Sequence, residues 1–175
     1  MTSYIFEGDR SFSLEHIRQE YPVYGTTDYR HPAIEIMQEN GSNISEFKYV
    51  GYEILKGKPS LKGLPATYTE SEEEAETLKI ILKDSLTGAK LTLLYTIFSK
   101  GSAIARSAHI CNEGEKVLHL QTMMSLNLDL PDKDYVWMQF SGAWSRERYV
   151  KNRILEQGIT AIDSMRGNSS HEHNP

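Results

Sequence analysis

From Val117 to Leu130 the chain reads V-L-H-L-Q-T-M-M-S-L-N-L-D-L. Leu118, Leu120, Met124, Leu126, Leu128 and Leu130 share one parity, which only Thr122 interrupts. His119, Gln121, Ser125, Asn127 and Asp129 occupy the other. A strand sends alternate side chains to opposite faces, so this pattern predicts one apolar and one polar wall. Wound as a helix, the same leucines would scatter around the whole circumference, which rules out the 3.6-residue period. Pro131 has no N–H for a ladder and ends the strand. A strand this long needs long neighbours and a second layer on its leucine side, and hence a sheet packed on a sheet.

Other segments repeat the two-residue period. Leu78, Ile80 and Leu82 alternate with Thr77, Lys79 and Lys83, and Leu91, Leu93, Tyr95 and Ile97 with Lys90, Thr92 and Thr96. Ile104 to Ile110 follows Lys100-Gly101, and N-E-G-E leads into the long strand. Turns this short predict consecutive antiparallel neighbours. Upstream, Ala33–Gln38 and Ile44–Leu55 flank Asn40-Gly41, a pair suited to a hairpin turn. Ser13 predicts the cap of a short helix through about Gln19. Tyr21–Ala33 holds too much Pro and Gly for a long regular element, and Lys56–Thr69 too much for continuous pairing, so the latter reads as loop or edge. Downstream, Tyr135–Phe140 reads as a strand, S-G-A-W-S-R-E-R-Y-V-K-N-R as an aromatic and basic segment, and Gly158–Ser164 as a last strand. The fold class predicted is all-β, an antiparallel β-sandwich in one domain over residues 1–175.

Composition narrows the function. Across 175 residues the net charge is −5, which argues against a nucleic-acid partner, since phosphate binding needs clustered Lys and Arg. Cys111 is the sole cysteine, so no internal disulfide forms. The first residues lack the basic start and apolar core of a signal peptide, and no apolar run approaches the roughly 20 residues of a membrane span. These features lead to the expectation of a cytoplasmic protein.

Candidate chemistry is sparse. Cys111 lies within a predicted strand with no base assigned to activate it, and reads as an inert cysteine. Glu70–Glu76 lacks the alternating ligand spacing of a calcium loop and reads as a solvated face. His171 and His173 stand two apart, but spacing supplies no third zinc ligand. No metal and no cofactor is therefore expected. Trp144 is flanked by Gly142, Ala143 and Ser145, which shield it little; a flat indole is what the apolar face of a sugar ring stacks on, although a core tryptophan fits the same sequence. Arg146, Glu147 and Arg148 beside it suit hydrogen bonds to a polar ligand or pairing among themselves.

Five strings in order carry a resemblance: E-Y-P-V-Y-G-T-T-D-Y-R-H-P-A, K-G-K-P-S-L-K-G-L-P-A-T-Y, E-E-E-A-E-T-L-K-I, S-G-A-W-S-R-E-R and S-S-H-E-H-N-P. Together they resemble the N-terminal region of bacterial α-galactosidases of glycoside hydrolase family 36. The resemblance implies a β-supersandwich, here truncated at one or both ends, that precedes a catalytic (β/α)₈ barrel in enzymes removing terminal α-galactose from melibiose- and raffinose-type sugars. Both catalytic aspartates would lie on that barrel, so no catalytic residue is expected in this chain and the chain alone is expected to be inert. Carried over by motif, Trp144 would shape the galactose pocket. Arg10, in G-D-R-S-F-S-L, would reach the active site of a neighbouring subunit of a tetramer. Asp28 and Arg30 read as a structural ion pair. A free-standing carbohydrate-binding module and a pure assembly domain remain the alternatives.

Overall fold

A computed structural model of the chain describes residues 19–25, 31–63, 66–131 and 134–163. The chain divides into two units, Met1–Asp129 and Leu130–Pro175. The helix predicted after Ser13, the Asp28–Arg30 pair, and His171 and His173 lie outside the described residues.

The first unit is an antiparallel β-sandwich. Its larger sheet has the order β2 (Lys48–Lys56), β3 (Ala75–Lys83), β4 (Ala89–Phe98), β5 (Ile104–Asn112). The meander predicted over β3, β4 and β5 is present, with Leu82, Leu91 and Ile110 in one register row and Ile80, Leu93 and Ala108 in the next. The second layer is a ribbon of β1 (Ile34–Gln38) and β6 (Leu118–Met123). Ile34 and Ile36 from the ribbon bury against Leu82, Leu91 and Leu93, with Tyr21, Val23, Ala33 and Phe47 closing the core. Burial of this kind contributes about 25 cal/mol per Å² of apolar surface and is the main force holding the layers together.

Two expected pairings are absent. Asn40-Gly41 does turn the chain, with Gly41 at φ 81° and its N–H donating to the Gln38 carbonyl. Yet β1 does not pair with β2, because after Ser42 the chain crosses between layers, burying Ser45 and Phe47. Likewise β6 pairs with β1 and not with β5. Gly114 makes that second crossing possible: a Cβ there would meet the Thr87 carbonyl oxygen at 2.3 Å, so only glycine lets the two turns touch.

The long strand is also shorter than its pattern predicts. It stops at Met123, and Gln121 is an extra residue in the ladder, since Ile36 faces Leu120 while Glu35 faces Thr122. Such a bulge shifts parity by one and exchanges the faces. Before it Leu118 packs on the core; after it Met123 and Met124 do. Downstream, the polar parity faces the sandwich: Asn127 Nδ2 donates to the Gln19 carbonyl at 3.0 Å, and Asp129 Oδ2 accepts from the Gln19 N–H at 2.8 Å. Leu126, Leu128 and Leu130 are correspondingly exposed.

Arg106 ties this segment down. Its guanidinium donates to the Asn127 carbonyl at 2.8 Å, pairs with Glu20 and lies 4.9 Å from the Tyr95 ring centroid. Tyr95 Oη donates to Glu20 at 2.9 Å. Burial, followed by that bond to Glu20, pushes the Tyr95 phenol up to about 12. A raised phenol holds its proton more tightly in the folded state, so the stability it contributes is complete below pH 10 and is lost as pH climbs toward about 12. Tyr95→Phe is expected to flatten that part of the alkaline decline, measured by urea unfolding across pH 9–12.

The ribbon covers only part of the larger sheet. On the same face as Leu91, the side chains of Tyr52, Ile54, Ile97 and Ile104 remain more than half exposed. Lys79, Lys90, Thr92 and His109 line the opposite face, as does Cys111, which is partly buried and sits across from Lys90.

The second unit contains one hairpin, β7 (Val136–Ala143) with β8 (Arg146–Ile154). The predicted Tyr135 strand runs three residues further than expected, and the aromatic and basic segment forms its partner. Gly158 to Asp163 is not a strand, contrary to expectation; Gly158 itself adopts φ 121°, which breaks extended pairing. Among the described residues no helix is long and apolar enough to cross a membrane.

Candidate functional site

The hairpin of the second unit positions Trp144. Ala143 faces Arg146, leaving Trp144 and Ser145 as the two turn residues. Ser145 has φ 66° and Arg148 φ 59°, a left-handed conformation unusual for side-chain-bearing residues, which costs on the order of 1–2 kcal/mol each. The register slips between Ser141 and Ala143, so β8 carries one extra residue opposite Gly142. A Cβ at Gly142 would meet the Arg146 carbonyl oxygen at 2.4 Å and Glu147 Cα at 2.9 Å. The glycine is thus required for the bulge to close. Glu147 Oε1 accepts a hydrogen bond from the Ser145 N–H at 2.8 Å, holding the strained turn.

Gly142, Ser145 and Glu147 of S-G-A-W-S-R-E-R therefore each have a local task, and the turn they shape carries the indole. Trp144 is 81% exposed, which excludes the core-tryptophan reading. Trp137, by contrast, is half-buried within β7 opposite Arg153. An exposed indole at a hairpin tip can stack on an apolar ring face while hydrogen-bonding through Nε1–H.

Arg10 lies outside the described residues, so the structure places one of the two expected contact residues. In the first unit a depression of about 370 Å³ is lined by Lys56, Glu72, Glu73, Glu76, Ile97 and Ser99. Its hydrogen bond from Ser71 holds the Glu73 carboxyl below its usual range, so Glu73 stays ionised and has no proton to donate near neutrality. The acidic run here forms a 3₁₀ turn over Glu72–Glu74 and is solvated, as its spacing predicts. No group of three or more His, Cys, Asp or Glu side chains is placed to hold a metal ion among the described residues.

Comparison with known proteins decides the family. The profile described as the glycosyl hydrolase family 36 N-terminal domain matches residues 2–175. The chain belongs to glycoside hydrolase family 36. It is 49% identical over 167 residues to the α-galactosidase AgaA of Geobacillus stearothermophilus, and 37% identical to α-galactosidase 1 of Pediococcus pentosaceus. The solved AgaA structure superposes with a TM-score of 0.88 over 95% of this chain, and the α-galactosidase of Lactobacillus brevis with 0.86 at 37% identity. Variants of AgaA have been solved in complex with raffinose and with stachyose. The chain spans 23% of the length of AgaA. Family membership and the β-sandwich both agree with the sequence resemblance.

What sequence reasoning missed is the hydrogen-bonded network of Arg106, Tyr95 and Glu20. These residues lie 11 to 86 positions apart, and only the register of β4 against β5 brings Tyr95 opposite Arg106. Their only visible signal was an arginine on the parity otherwise occupied by Ile104, Ala108 and Ile110.

Proposed function

We propose that this chain is the non-catalytic N-terminal part of an α-galactosidase acting on terminal α-galactosides of the melibiose and raffinose type, folded as one β-supersandwich domain. Trp144 forms one wall of the galactose pocket, and Arg10 hydrogen-bonds the sugar from a neighbouring subunit of a cytoplasmic homotetramer. The two carboxyl groups that retaining hydrolysis requires, about 5–5.5 Å apart, belong to a catalytic barrel outside this chain. The observation that carries the reading is the outward-held, exposed indole of Trp144, which lies within the stretch matched by the family profile.

Galactose titrated into the 175-residue chain tests it. We expect no hydrolysis of an α-galactoside and no saturable binding up to tens of millimolar, because a single stacking contact contributes only about 0.5–1.5 kcal/mol. Millimolar binding that disappears in Trp144→Ala would instead make the chain a free-standing carbohydrate module. Hydrolysis by the chain alone would overturn the reading outright.

A further inference from the structure

The indole is useful only if its orientation is set before the sugar arrives, and the structure assigns that task to an acidic neighbour. We propose that Glu147 is a positioning residue for Trp144; its effect on sugar binding rests on the reading of Trp144 given above. Trp144 and Ser145 are the whole turn, so the torsions of Ser145 shape the backbone from which the indole projects. Ser145 holds φ 66° without being glycine, a conformation it would leave if nothing retained it. The side-chain bond retaining it is the one from its N–H to Glu147 Oε1, at 2.8 Å. Glu147 is in turn fixed by the bulge, where its Cα would lie 2.9 Å from any side chain at position 142 and Arg148 follows at φ 59°. The carboxylate thus couples a closely packed bulge to the turn that carries the indole. Its role requires an acceptor oxygen at this distance and not a proton-transfer group.

The test uses an α-galactosidase carrying this chain with Trp137→Phe, which leaves Trp144 as this chain's only indole, with tryptophans elsewhere in the enzyme subtracted through a Trp144→Phe control. Glu147→Ala is expected to lower the fluorescence anisotropy of Trp144 and raise KM for an α-galactoside about three- to tenfold with kcat unchanged. The melting temperature should stay within about one degree. Glu147→Gln keeps an acceptor oxygen and is expected to retain both the anisotropy and KM. Unchanged anisotropy in Glu147→Ala overturns the proposal, as does a Glu147→Gln protein that behaves like the alanine variant. Trp144→Ala with unaltered KM would sink the sugar-pocket reading by itself, and the anisotropy result would still decide whether Glu147 sets the turn.

Discussion

Leu91→Ala is expected to lower the unfolding free energy by about 2–5 kcal/mol, a large share of the roughly 5–15 kcal/mol typical of a domain. Leu91 is 1% exposed, lies between Leu82 and Ile110, and packs against the β1–β6 ribbon. Truncation removes apolar burial and leaves a cavity that strands fixed by ladders on both sides cannot close. Ile54→Ala supplies the control. Ile54 lies on the same face of the same sheet but is 66% exposed, beyond the reach of the ribbon. Its loss is expected to change stability by less than about 0.5 kcal/mol. Urea unfolding of both variants, read at a common slope, measures the difference. Equal losses would mean that the ribbon is not what covers Leu91.

Thr77→Val is expected to cost about 1–3 kcal/mol although it preserves shape. Thr77 is fully buried; its hydroxyl donates to the Gly57 carbonyl at 2.7 Å and therefore accepts from Thr96 Oγ1, 2.8 Å away. This relay fastens the start of the loop that follows β2 to β3 and β4. Valine leaves both the Gly57 carbonyl and the Thr96 hydroxyl without a partner in a site closed to water. Because Thr96 is left with an unmet donor, adding Thr96→Val should restore part of the loss. The double variant is thus expected to be less destabilised than the sum of the single ones, by about 1 kcal/mol. Additive losses would show that the hydroxyls act independently.

Local alternation made much of this molecule legible. The period of two identified β3, β4 and β5, and their short turns gave the correct neighbours. Pairing across layers was not legible: nothing in Asn40-Gly41 or in N-E-G-E distinguishes a turn that closes a hairpin from one that leaves the sheet. The difference lies in distant residues, with Phe47 drawn into the core in one case and Gly114 meeting Thr87 in the other. The leucine ladder shows a subtler limit. Its alternation is real, and Thr122 marks where it fails, but the bulge at Gln121 reverses which parity faces the sandwich. The site was legible as a motif and not as a shape. S-G-A-W-S-R-E-R disclosed an unshielded tryptophan, whereas the positive φ of Ser145 and its bond to Glu147 depend on a bulge that no periodicity reveals.

The reading of this chain depends most on whether the Trp144 indole meets the sugar of an α-galactoside. Steady-state kinetics of an α-galactosidase carrying this chain, parent against Trp144→Ala, test it most directly. A rise in KM of about tenfold, equivalent to about 1.4 kcal/mol of lost contact, with an unchanged melting temperature is the expected result. Kinetics indistinguishable from those of the parent enzyme would contradict it.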